Sequence, residues 1–233
     1  SRRVKVVFLG WSADDSMERL FVSEDYDVLL VWDYRDWTFD YSILNDYEEI
    51  RLFAWSLGVF ASGEVMSRCS QRIVRSVAFA GTLLPIDNAK GIPQKVYELT
   101  TNTLSPAALK KFRLRMCGGA EGLKTFPLDD RECDIEELKA ALVSIEKRYM
   151  ANGAGSFTFD KAYICGRDKI FPPDNQLSAW QTTTESETID CEHFDFEQMR
   201  NIFAELGETK PLLHSDFPRL GRPTKSMQWC KIK

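Results

Sequence analysis

Five short, unbroken apolar runs punctuate this chain: residues 4–9 (VKVVFL), 27–32 (DVLLVW), 50–55 (IRLFAW), 73–80 (IVRSVAFA) and 161–165 (KAYIC). A strand wetted on one face alternates polar and apolar residues. These runs do not, so they read as strands buried on both faces. Segments 14–21, 41–47, 57–69 and 173–181 have helical length and lie between or after the runs. Strand alternating with helix predicts an α/β fold with a mostly parallel sheet flanked by helices. The 233 residues, 44% of them hydrophobic, suffice for one substantial core.

One stretch breaks the rhythm. Between about 90 and 153 there is no strand run, only helical patterns at 106–116 and 135–150. The first follows Ser105 with Pro106 at its first position, and the second follows Asp134 with Glu136 and Glu137 in its first turn. Both are helix-start signals. Helices inserted between two sheet strands predict a lid over 90–153, with the core in 1–89 and 154–206. Segment 207–233 is interrupted by Pro211, Pro218, Gly221 and Pro223. It reads as an extension or a tail of unassigned role.

Charge and cysteine usage exclude several classes. A net charge of -5 supplies no overall attraction to nucleic acid or anionic membrane. No apolar run reaches the ~18 residues of a transmembrane helix, and Ser1-Arg2-Arg3 leads straight into strand pattern, predicting no signal peptide. The six cysteines form no CxxC pair, which argues against a metal site or disulfide framework and for a reducing cytoplasm.

Chemistry-bearing residues fall at the ends of the predicted strands. In AWSLGVF (54–60), Ser56 stands between a strand and a helix, with small residues Ala54 and Gly58 two positions either side. That is a relaxed G-x-S-x-G elbow, whose crowded turn exposes the serine and aims the next amide at a developing oxyanion. The competing reading is a serine that caps the following helix. FLGWSADD (8–15) ends the first strand at the same sheet edge, so Trp11 is the candidate for the second oxyanion amide beside Leu57. Asp168 follows the 161–165 strand and is favoured over Asp87 as the orienting acid. A last short strand is expected at 188–191, leaving His193 in the loop after it and a helix from about 196. His214, in the proline-broken segment with no strand before it, is the weaker candidate base. Ser56, Asp168, His193 is the chain order of an α/β hydrolase triad.

The strings LGWS, AWSLGV, FAGTLLPIDNAKGIP, FRLRMCGG and EHFDF resemble the BioG-type pimeloyl-acyl-carrier-protein methyl ester esterases of biotin synthesis, from about residue 6 to 203. GWS and WSLG are similar to the BioH esterases as well. The resemblance implies an α/β-hydrolase fold with a helical lid, no cofactor, the triad Ser56, Asp168 and His193, and oxyanion amides from Trp11 and Leu57. Ser12 stands where related sequences often carry glycine. The implied substrate is the methyl ester of pimeloyl bound to an acyl carrier protein. Such carriers are acidic, and Lys110, Lys111, Arg113, Arg115 and Lys124 supply a basic patch on the lid segment with only Glu121 among them. A thioesterase or general short-chain carboxylesterase would use the same triad, and a non-catalytic interaction protein is the alternative from a different class.

Overall fold

The computed structural model describes residues 2–127, 133–207 and 228–231. Its strands are β1 (Arg3–Phe8), β2 (Asp27–Trp32), β3 (Glu49–Trp55), β4 (Ile73–Phe79), β5 (Lys161–Cys165), β6 (Glu185–Ile189) and β7 (Gln228–Lys231). They form one sheet in the order β6-β5-β4-β3-β1-β2-β7, and every pairing is parallel. The apolar runs are the central strands, as the sequence predicts. From Val4 to Phe8 and from Ile50 to Trp55 every residue is buried. Parallel pairing leaves helices on both faces, so the stretches 4–8 and 50–55 have no exposed position, whereas Val74 and Arg75 near the start of β4 are exposed.

The chain leaves β1 toward β2 on one side, and leaves β3 toward β4 on the other. Adjacent strands β1 and β3 therefore mark a topological switch point, where a crevice opens outside the carboxyl ends of the strands. The loop after β1 carries Gly10 and Trp11. The turn after β3 carries Ser56.

Among the described residues four helices lie between β4 and β5: α2 (Gln94–Asn102), α3 (Pro106–Met116), α4 (Ala120–Leu123) and α5 (Ile135–Asn152). The expected caps are in place, with Ser105 Oγ accepting from the Ala108 amide at 3.1 Å and Asp134 Oδ1 from the Glu137 amide at 3.1 Å. Helix α5 is fastened to the sheet layer. Glu64, buried in α1 (Leu57–Met66), accepts from Arg148 Nε and Asn152 Nδ2, both at 2.7 Å. The Trp37 and Tyr97 side chains donate to Ser144 Oγ at 2.9 Å and the Leu142 carbonyl at 2.8 Å. Helices α6 (Pro173–Trp180) and α7 (Phe196–Glu205) complete the fold. Among the described residues no helix is long and apolar enough to cross a membrane.

Two expectations are corrected, and one that the sequence left open is filled in. The segments read as helices at 14–21 and 41–47 are single 3-10 turns, Asp15–Arg19 and Tyr41–Leu44. In each, the preceding aspartate (Asp14 or Asp40) accepts from the amide two residues on, at 2.9 and 3.0 Å, which closes a tight turn rather than starting a helix. The last short strand runs Glu185–Ile189 instead of 188–191. It is a sheet edge whose residues are exposed or half-buried, so it has no apolar run to announce it. Finally, part of the segment beyond 207 is strand: β7 pairs with β2, Leu29 opposite Gln228. His214 and the rest of that segment lie outside the described residues.

Candidate active site

Ser56 occupies a backbone conformation that L-residues rarely adopt, φ 60° and ψ −130°. Holding a non-glycine residue there costs about 1–3 kcal/mol and calls for tight surroundings. The neighbours explain which residues tolerate it. A Cβ on Gly58 would lie 2.4 Å from the Phe8 carbonyl oxygen, and one on Gly81 would lie 2.3 Å from the Ser56 carbonyl oxygen. Ala54, between Phe8 and Ala78 in register, is fully buried, so a methyl group fits where a larger side chain would not. The helix-cap reading fails on one observation: Ser56 makes no side-chain capping bond to α1. Its Oγ instead stands 2.8 Å from His193 Nε2.

His193 Nδ1 is 2.7 Å from Asp168 Oδ2. Asp168 takes three further donors: the Ile170 and Phe171 amides on Oδ1 at 2.7 and 2.9 Å, and Gln176 Nε2 on Oδ2 at 3.0 Å. With four donors around it, this carboxylate acts only as acceptor, which leaves Nδ1 of the imidazole protonated and Nε2 free to accept from serine. Asp87, the rival acid, is used locally: its Oδ1 accepts from the Ala89 and Lys90 amides, both at 2.8 Å.

Asp168 follows β5 and His193 follows β6, one and two strands beyond β4, so the histidine loop must reach back across the sheet edge to Ser56. Trp55 secures that reach by donating Nε1–H to the His193 carbonyl at 3.0 Å. Phe171 stacks on the imidazole, with ring planes 5° apart and centroids at 6.1 Å. All three polar residues are buried, His193 at 1% exposure and Ser56 and Asp168 at 5%. Low surrounding polarity strengthens each of these bonds.

Ser56 opens onto a pocket, part of it in contact with solvent, which Trp11 and Leu57 also line. Leu57, at the first helical position, has one of the amides that a helix leaves without an internal acceptor. The rest of the wall is mainly apolar, with Ile92, Tyr97, Phe112, Leu142 and Ile170, and it carries two cations, Arg115 and Lys169.

The expected carrier patch divides. Lys110, Lys111 and Arg115 are exposed on α3, and Lys124 is exposed but paired with Glu121 at 2.6 Å. Arg113 does not belong with them. It is buried, because Leu109, Phe112, Arg113 and Met116 share the inward stripe of α3 at helical spacing. The sequence reading also missed Gln176 and Lys169. Gln176 is fully buried with Trp180 four residues on, a polar residue on a core-facing stripe, and that spacing is the signal that marks it. Nothing local distinguishes Lys169 from any exposed loop lysine.

A parallel sheet with helices on both faces, and a strained serine at its switch point bonded through histidine to aspartate, define an α/β hydrolase. The chain belongs to the pimeloyl-ACP methyl esterase BioG family, which it matches over residues 2–204. It is 35% identical over 213 residues, 91% of its length, to a protein of Bacteroides fragilis (strain 638R) named malonyl-[acyl-carrier protein] O-methyltransferase. It spans only 44% of that relative. The crystal structure of BioG from Haemophilus influenzae superposes with a TM-score of 0.75 at 28% identity, covering 85% of this chain and 92% of that one. A lipase-esterase related protein from Clostridium acetobutylicum shares the fold at 12% identity and TM-score 0.59, covering 86% and 91%.

Proposed function

We propose that this chain hydrolyses the methyl ester of a pimeloyl chain carried on an acyl carrier protein, releasing methanol and the free carboxylate. The observation that carries this reading is the bonded series Ser56, His193, Asp168 at the wall of an apolar cavity, in a member of the BioG family. His193 Nε2 takes the serine proton as Oγ attacks the ester carbonyl. The amides of Leu57 and Trp11 receive the oxyanion. The imidazolium passes its proton to methoxide, methanol leaves, and water activated by the same nitrogen releases the acid from Ser56. Asp168, oriented by Gln176 and two backbone amides, stabilises the imidazolium and fixes the tautomer.

The helices of 90–153 serve as a lid whose exposed cations meet the carrier. Lys110, Lys111 and Arg115 supply positive charge on α3, and Lys169 adds a cation across the cavity mouth. Docking the carrier on these cations sets the reach of the acyl arm, so the distal ester and not the thioester arrives at Ser56. The name of the Bacteroides fragilis relative supports a carrier-bound substrate. The free cysteines at 69, 117, 133, 165 and 191 fit a reducing cytoplasm.

The test is product analysis on the carrier-bound methyl ester, alongside labelling with a fluorophosphonate. Methanol release and a phosphonylated Ser56 are expected. Free carrier thiol would mark a thioesterase, and an unlabelled Ser56 with no product would mark a non-catalytic protein.

A further inference from the structure

Arg113 is a buried cation with no carboxylate within ion-pair distance among the described residues. At 9% exposure it has no ion-pair partner among the described residues, and its Nε has no hydrogen-bond acceptor. A buried guanidinium in that condition is costly to keep. Its one strong polar contact is Nη2–H donated to the Ser12 carbonyl at 2.9 Å, with Cys133 Sγ a weaker acceptor at 3.4 Å and the Phe126 ring 5.7 Å from its Cζ.

Ser12 is the residue after Trp11, and it holds a left-handed φ of 70° that favours glycine. Its own hydroxyl is buried without a partner, so the side chain does nothing to keep the turn closed. The Ala13 amide closes the turn on the Gly10 carbonyl at 3.3 Å, and the insert braces it from outside. Arg113 grips the carbonyl of Ser12. The Trp11 indole donates to the Leu138 carbonyl of α5 at 2.8 Å and meets the Phe112 ring edge-on at 4.9 Å. Less than one turn further along α3, the Met116 carbonyl accepts from the Phe194 amide of the histidine loop at 3.0 Å. One helix thus spans from the turn that presents the Trp11 amide to the residue after His193.

We propose that Arg113 is a positioning residue: by holding the Ser12 carbonyl it sets the turn that aims the Trp11 amide at the oxyanion formed on Ser56. This rests on the esterase reading above. Arg113 touches no reacting atom and takes no part in docking the carrier, so its loss acts on turnover and leaves ground-state binding alone. Deleting an oxyanion donor outright costs about 100- to 1000-fold in kcat. Loosening one through its support is expected to cost about 10- to 100-fold.

The experiment uses a p-nitrophenyl ester, which needs no carrier, and a trifluoromethyl ketone, whose adduct on serine places an oxyanion in the same hole. Arg113→Met keeps the length and removes the donor. It is expected to lower kcat in that range with KM nearly unchanged, and to weaken the ketone in step with kcat/KM. Arg113→Lys, a shorter cation, is expected to fall between it and wild type, and it decides the matter where Arg113→Met does not fold. Ile202→Ala, a core truncation in α7, is the comparison for lost stability, expected to lower Tm with kcat intact. An Arg113 variant that keeps kcat, or changes KM alone, overturns the proposal. So does Ile202→Ala losing turnover as fully as Arg113→Met. Failure of the esterase reading looks different: wild type itself would cleave no ester and would leave Ser56 unlabelled by the fluorophosphonate.

Discussion

Adding one methyl group at position 81 is a direct test of whether the elbow geometry governs turnover. A Cβ on Gly81 would lie 2.3 Å from the Ser56 carbonyl oxygen, 2.9 Å from its carbonyl carbon and 3.0 Å from its Cα. All three are backbone atoms, and none can rotate aside. Gly81 cannot easily retreat either, because Trp180 Nε1 donates to its carbonyl at 3.1 Å. Non-bonded heavy atoms settle about 3.5 Å apart, so the elbow must move by roughly 1 Å. The Ser56–His193 bond, 2.8 Å in the native site, would then stretch beyond hydrogen-bond range. A displacement of about 1 Å typically costs about 100-fold in rate. Overpacking adds a stability loss of about 1–3 kcal/mol, or about 2–12 °C in Tm at this chain length. The assay is kcat on a p-nitrophenyl ester for Gly81→Ala beside Gly63→Ala. At Gly63 the added carbon meets Leu83 Cδ2 at 2.5 Å, the free end of a side chain that can swing away. Gly63→Ala should therefore lose some Tm and keep its turnover. Gly81→Ala with wild-type kcat would refute the reasoning that backbone crowding sets the serine's position.

Three further outcomes are expected. Gln176→Leu removes one of the four donors around Asp168, and kcat should fall about 10-fold with KM unaltered; an unchanged kcat in steady-state kinetics would show that Gln176 only fills space. Charge reversal at the cavity mouth, Arg115→Glu with Lys169→Glu, should raise KM for the carrier-bound ester about 10-fold and leave the p-nitrophenyl ester unaffected, and equal effects on both substrates would contradict carrier docking there. Burial pushes the Cys117 thiol up to about 12, and burial with the Cys191 hydrogen bond raises Cys165 well above the usual thiol range. A raised thiol pKa means less thiolate at pH 8, so iodoacetamide there should label half-buried Cys69 and spare Cys117 and Cys165 in native protein, as read by peptide mass mapping.

How much was legible in the sequence follows from where each residue gets its information. The central strands announce themselves because double-sided burial keeps them mostly apolar, with exceptions such as Lys5 and Arg51, whose charged ends reach backbone carbonyls. β6 does not: at the sheet edge its two glutamates and half-buried serine are tolerated, so ESETI looks like a loop. The order of Ser56, Asp168 and His193 was readable because parallel strands place their trailing loops at one edge. The distances among them were not, since His193 is held beside Ser56 by Trp55 and Met116, residues on other elements far away in the chain. Arg113 shows the same limit from the other side. As one of five positive charges in a short segment it reads as solvated, yet its spacing from Leu109 and Met116 turns it inward, toward a carbonyl 101 positions earlier in the chain.

The central claim, that Ser56 cleaves the distal ester of a carrier-bound acyl chain, is most directly tested by the intact mass of the carrier. Pimeloyl-carrier methyl ester incubated with wild-type protein should lose the mass of one methylene, and the same substrate with Ser56→Ala should keep its mass. Loss of the whole acyl group, an unchanged mass with wild type, or demethylation by Ser56→Ala would each contradict the account.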